Sequence, residues 1–380
     1  MAQFDRLDRL ITNLIARGEL RDAQYAIGLD GASVATKAFG GADLSSRFCI
    51  FSSTKPIFAS LLWRLIDQGR ISLDTRIVEV WPEFGHHGKD SITLEHLLLH
   101  TAGIPSPMIT PEAVGSREAR VREIEQWPLE LEPGTAYTYH PFSAGWVLAE
   151  VVTRITGMPH GEALRSEILE PLDIDRLELG VRPERLGDVR RIDYIREAPF
   201  DVFEAVTGQP SPPADPDAEE PFDIRGFAND PVVIGAGAPG GGAISNAASV
   251  ATFYQALLHN PAHLWSDEIL ADATTNIRNT FPDGLALGAP ANRTIGLIIA
   301  GDDHRRFSLP QHGVDLVMHP FGPAVSPQTF GHGGGGGQIA FADPTTGVSF
   351  CFLSNVIDRD AFGAFQNQQD IIEAAVTSIM

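Results

Sequence analysis

Apolar residues recur at helical spacing near the start of the chain, with Phe4, Leu7, Leu10, Ile11 and Leu14 among charged positions, which predicts an amphipathic first helix. Two short β-like runs follow, 23 to 31 and 32 to 40, and the Asp30-Gly31 pair between them signals a hairpin. From Ser52 to Gln68 the period returns to that of a helix, carried by Ile57, Phe58, Leu61, Leu62 and Leu65 and closed by Gly69, so Ser52 sits at or near a helix start. A further helix is predicted from Ala144 to Ile155, ended by Gly157. Residues 239 to 258 pass from a glycine-rich turn into another, and a closing helix runs from Ala361 to the end. Strands are predicted at 296–300 and within 338–355. Strands at both ends around a largely helical middle predict an α/β fold, with an antiparallel sheet built from N- and C-terminal segments and flanked by helices. On this reading one catalytic domain spans 1–380: residues 1–70 and about 231–380 form the α/β part, and about 71–230 form a helical insert. The acidic, proline-rich stretch 208–222 reads as a loop or lid within it, with an interdomain linker as the alternative.

Composition narrows the function. The 380 residues carry a formal charge of −21, which opposes binding to phosphate backbones or anionic lipid, so neither a nucleic acid nor a membrane is expected as a partner. The first twenty residues lack the basic start and apolar core of a secretory leader, and no apolar run is long enough to span a bilayer; a cytoplasmic protein is expected. Cys49 and Cys351 lie in apolar contexts without metal-ligand spacing and read as buried hydrophobes. Lysine is scarce, with only Lys37, Lys55 and Lys89 in the whole chain.

That scarcity draws attention to Ser52-Ser53-Thr54-Lys55. A serine hydroxyl needs a neighbouring base and donors for the developing oxyanion, and residues three apart on a helix share a face, so the Lys55 amine can reach Ser52. A capped helix bearing an exposed lysine would look the same. Tyr139, in the turn and aromatic alternation of 133–141, can take and return a proton, or can simply be a packed aromatic. The glycine run 333–337 before Gln338 either lets a ligand approach backbone N–H groups or forms a flexible turn. His96 and His100 share a helical face, but without an adjacent glutamate they read as structural, and His86-His87 reads as a solvated turn.

Order and spacing together resemble the penicillin-recognising serine hydrolases: class C β-lactamases, D-alanyl-D-alanine peptidases and family VIII carboxylesterases. The Ser-x-x-Lys start is followed by GRISLDTRIVEVWPEF (69 to 84) and by LEHLLLHTAGIP (94 to 105), similar to the family's leucine-rich segment ending His-Thr-(Ser/Ala)-Gly. Next come Pro133-Gly134-Thr135 and Tyr139-His140-Pro141 in place of Tyr-x-Asn, APGGGAIS (238 to 245), and FGHGGGGGQIAFADPTTGVSFCFLSN (330 to 355) as the last motif with its strands. The resemblance implies a β-lactamase/transpeptidase-like fold, with Ser52 as nucleophile, Lys55 as its proton partner and Tyr139 as general base and acid. It implies an oxyanion hole from the N–H groups of Ser52 and Gly335, and a substrate-binding strip including His332, Gly333, Gly334 and Pro141. Two departures matter. Pro141 replaces an asparagine whose amide holds an acylamino arm, and His332 replaces the lysine of Lys-Thr-Gly, a fixed cation for a substrate carboxylate. Small uncharged carboxylic esters are therefore the expected substrates, cleaved through an acyl-enzyme without cofactor or metal. The alternatives are a β-lactamase, D-aminopeptidase or D,D-peptidase-type amide hydrolase, a transacylase, or a catalytically silent scaffold. Neither oligomeric state nor acyl preference follows from these motifs.

Overall fold

The computed structural model describes residues 2–379 apart from 202–203, 206–208 and 210–222. The predicted acidic lid at 208–222, Gln209 excepted, lies outside the described residues.

Six strands form the main sheet: β1 (Ala23–Leu29), β2 (Ala32–Phe39), β3 (Ile298–Ile299), β4 (Phe330–Gly333), β5 (Ile339–Asp343) and β6 (Val348–Ser354). Their order is β2-β1-β6-β5-β4-β3, and every neighbouring pair is antiparallel. N-terminal β1 thus pairs with C-terminal β6, Ala26 opposite Cys351, as the α/β reading expects. The helices that matter for the site are α1 (Asp5–Ala16), α2 (Thr54–Asp67), α3 (Ser143–Thr156), α4 (Ala247–His259) and α5 (Ala361–Thr377).

Strand alternation divides the core in two. Ile27, Phe341, Phe350 and Phe352 meet Leu7, Ile11 and Leu14 of α1 and Ile371 and Ile372 of α5 on one face. Ala26, Ala340, Ala342, Cys351 and Leu353 face the other side, toward α2, α3 and α4. The small side chains of the alanines and Cys351 let α4 lie close to β1, β5 and β6. Both cysteines are buried and free. Helix α2 is enclosed, with Ile57, Phe58, Leu61, Leu62, Trp63 and Leu65 all buried, and each such apolar side chain contributes about 1.5–3 kcal/mol of burial. The turn that carries Ser52 therefore leads into an enclosed helix.

Several elements were not legible as periodic runs. The strand expected at 296–300 is only Ile298–Ile299, because Gly296 adopts φ +126 and turns the chain. Phe48–Cys49, Ala243–Ser245 and Glu178–Leu179 make a small second sheet, and Arg305–Leu309 pairs with Val314–Met318 as a hairpin. Buried Arg47, bonded to Asp188 at 2.8 Å and to Glu178, ties the small sheet together. Among the described residues no helix is long and apolar enough to cross a membrane.

Candidate active site

Ser52 stands in a single 3-10 turn, Phe51–Ser53, between Phe48–Cys49 and α2. The turn is sharp because Phe51 takes a left-handed conformation, φ +44, which costs of order 1–3 kcal/mol for a bulky residue and must be held by its surroundings. Glycines supply that hold. A Cβ on Gly334 would lie 2.7 Å from the Ile50 carbonyl oxygen and 3.2 Å from Phe51 Cβ. Ser53 Oγ donates to the His332 carbonyl at 3.1 Å, so β4 is pinned to the same turn.

Lys55, one turn into the helix, places Nζ 3.1 Å from Ser52 Oγ, 2.9 Å from the Pro141 carbonyl and 2.5 Å from the Gly240 carbonyl. Nζ donates to Ser52 Oγ and to both carbonyls; as a neutral amine in the same place it would keep two N–H bonds for the carbonyls and a lone pair for the serine proton. Loss of water around the amine pushes the Lys55 pKa well below the ordinary lysine range, and the nearby Arg293 cation pushes it the same way. Gly240 must be glycine for this arrangement, since a Cβ there would sit 2.4 Å from the Pro141 oxygen. The glycine-rich turn at 238–245 thus presents a carbonyl to the lysine.

The Tyr139 hydroxyl donates to Ser52 Oγ at 2.8 Å, and Lys55 Nζ lies 4.8 Å from the ring centre. Burial raises the Tyr139 pKa; Arg293 and the bond to Ser52 oppose the rise. The loop carrying Tyr139 is stapled to the 94–105 segment by two histidines. His100, itself at φ +57, accepts from the His140 backbone N–H at 3.2 Å through Nδ1, and its ring lies 4.8 Å from that of Tyr139. His140 Nδ1 donates to the Thr138 carbonyl at 2.5 Å, and its Nε2 accepts from Ile104 N–H at 3.0 Å. Burial holds His140 down to about 4 and keeps His100 neutral, so both serve as fixed hydrogen-bonding braces.

His96 and His100 do not converge. His96 closes a capping box with Thr93 at the start of the Leu94–Leu98 helix, while His100 turns toward Tyr139. His86 and His87 lie in an exposed turn, as expected.

The strip 332–337 runs alongside Ser52. Gly334 N–H bonds to the Gln338 carbonyl at 2.8 Å, Gly336 N–H to Gln338 Oε1 at 2.8 Å and Gly337 N–H to the Gly334 carbonyl at 3.3 Å. Gly335 is exposed, and its N–H has no partner among the described residues. His332, only 4% exposed, donates from Nδ1 to the Gly333 carbonyl at 2.7 Å and accepts at Nε2 from Arg293 Nη1 at 3.0 Å. Both ring nitrogens are engaged within the protein.

Arg293 is the residue that the motifs do not reveal. It is 5% exposed, reaches Tyr137 Oη at 3.0 Å through Nη2 and lies 5.4 Å from the Tyr139 ring centre. Its Nε is buried without a partner, and no carboxylate pairs with it among the described residues. The one available signal is that it carries the only charge between Asp283 and Asp302.

The family model described as Beta-lactamase matches residues 7–374. The chain is 27% identical over 357 residues to the esterase/beta-lactamase LipL of Mycobacterium tuberculosis, covering 87% of this chain and 76% of the relative. A penicillin-binding protein homologue from Caulobacter crescentus superposes with TM-score 0.76 at 26% identity, covering 100% of this chain and 98% of that one. A family VIII carboxylesterase structure gives TM-score 0.77 at 24% identity, covering 100% and 98%, and shares the fold.

Proposed function

The chain belongs to the Beta-lactamase family of serine hydrolases, and from that premise we propose that it hydrolyses small uncharged carboxylic esters through an acyl-enzyme on Ser52. The observation that carries this reading is the placement of Lys55 Nζ and Tyr139 Oη at 3.1 and 2.8 Å from one serine oxygen. In acylation Ser52 Oγ attacks the ester carbon while its proton passes to the Lys55–Tyr139 pair. The oxyanion that forms rests on the N–H groups of Ser52 and Gly335, the latter having no partner among the described residues. Collapse of the tetrahedral adduct breaks the acyl carbon–oxygen bond, and the alcohol leaves with a proton returned through Tyr139. Water, deprotonated by the same pair, then clears the acyl-enzyme.

Two observations favour esters over anionic amides. Pro141 has no side-chain amide, and its carbonyl is occupied by Lys55. His332 has no free donor for a substrate carboxylate. The relatives do not discriminate, since one is named both esterase and beta-lactamase. Amide hydrolysis and acyl transfer to an alcohol or amine use the same catalytic parts and are the competing readings. The test is a panel of nitrophenyl esters beside a chromogenic cephalosporin, run with the unmodified protein and with Ser52→Ala. Fast turnover of short neutral esters, slow turnover of the cephalosporin and an inert but folded Ser52→Ala are expected. Ester cleavage that survives Ser52→Ala sinks the nucleophile assignment, and equal efficiency on both substrates sinks the ester preference alone.

A further inference from the structure

A buried cation without a counter-ion is costly, and a site that keeps one is using its field. The titratable and charged groups around Ser52 Oγ come from every wall: Lys55 from α2, Tyr137, Tyr139 and His140 from the loop before α3, His100 from the 94–105 segment, His332 from β4, and Asp283 with Arg293 from the segment preceding β3. Of these, Arg293 alone is a permanent cation. We propose that Arg293 is a positioning residue of the acyl transfer: its charge, clamped between Tyr137 and His332 against the ring of Tyr139, keeps Lys55 as the neutral amine and draws the Tyr139 hydroxyl toward phenolate. The clamp is geometric, with one guanidinium nitrogen on each partner at 3.0 Å. Arg293 depresses Lys55, His100 and His332 together and opposes the upward push of burial on Tyr139. Asp283 acts on Tyr139 in the opposite sense. Buried behind Tyr137 and His332, the guanidinium acts through the proton-transfer pair, with no contact to the ester required. Whichever of Lys55 and Tyr139 is deprotonated takes the Ser52 proton as the Oγ–acyl bond forms and later gives it to the leaving alcohol. This inference rests on acylation at Ser52.

The experiment is the pH profile of kcat/KM on a neutral nitrophenyl ester, from about pH 5 to about pH 10, for the unmodified protein, Arg293→Gln, Arg293→Met and Arg293→Lys, each with a thermal melt. Removing the cation raises the pKa of both Lys55 and Tyr139, so the acidic limb of the neutral variants moves upward by about one to two pH units, while rates at alkaline pH recover to within about tenfold. Arg293→Lys keeps the limb in place. A folded neutral variant that loses rate equally at every pH overturns the proposal, because only a structural role would then remain. Should both neutral variants fail to fold, Arg293→Lys decides: a limb held in place supports the proposal, and a displaced one overturns it. Ser52→Ala, assayed alongside, separates failure of this inference from failure of the acyl-enzyme reading.

Discussion

In related motifs a lysine stands where this chain has His332, and restoring it tests what the histidine faces. From the motif alone, His332→Lys should create a carboxylate-binding cation. The structure predicts otherwise, because His332 Nε2 accepts from Arg293 at 3.0 Å in a buried setting. An ammonium at about 4 Å from the guanidinium meets repulsion of about 4 kcal/mol at an effective dielectric near 20, and Arg293 also loses a hydrogen-bond acceptor. Part of that cost is avoided if the new lysine sheds its proton. A net loss of about 3–5 kcal/mol at neutral pH is expected, seen as a melting temperature lower by roughly 4–6 °C. The pH dependence has a definite sign. The introduced lysine has a folded-state pKa below its unfolded value, so the unfolded chain binds more protons between the two, and stability rises with pH through that window. The deficit against the unmodified protein should therefore shrink as pH climbs toward the ordinary lysine range. His332→Gln, whose amide oxygen still accepts from Arg293, should cost about 1 kcal/mol with no such trend. The assay is thermal unfolding of all three proteins near pH 7 and near pH 9.5, with KM for a carboxylate-bearing ester measured in parallel. A His332→Lys variant as stable as the parent at pH 7, with a lower KM for the anionic substrate, would refute the reasoning and show that this side chain faces the ligand.

Lys55→Ala and Tyr139→Phe should each lower kcat by about 10²–10⁴-fold, and the double variant should be little worse than the weaker single, since both act on one proton; strictly multiplicative losses in steady-state kinetics would argue for separate roles. Gly240→Ala forces a methyl group to within 2.4 Å of the Pro141 oxygen, displacing one of the two carbonyls that hold Lys55. It should lower both the melting temperature and kcat, by about 1–3 kcal/mol in stability, whereas unchanged turnover would show that the lysine does not need both carbonyls.

What could be read in the chain was what depends on neighbours in sequence. The 3.6-residue period set α1 and α2, short β-like runs set β1, β5 and β6, and the three-residue spacing of Ser52 and Lys55 predicted amine and hydroxyl on one side of a helix start, where they stand 3.1 Å apart. Motif order added Tyr139. Elements of two or three residues, such as Ile298–Ile299 and Ala243–Ser245, carry too few positions for any period to appear. His96 and His100 would share a helical face only if the helix continued, but it ends at Leu98 and the His100 ring swings to the Tyr139 loop.

The electrostatics of the site were decided only by the fold. Lys55 finds its second carbonyl at Gly240, which lies 185 positions away, and Arg293 finds His332 and Tyr137 at separations of 39 and 156. A pKa depends on which charges are near and how much water is excluded, and both are set by packing between distant segments. The sequence by itself determined which groups could carry the chemistry, because reactivity belongs to residue type and short spacing. Tertiary structure decided how their proton affinities shift: by excluding water around Lys55 and burying the Arg293 guanidinium nearby, it pushes the Lys55 pKa well below the ordinary lysine range.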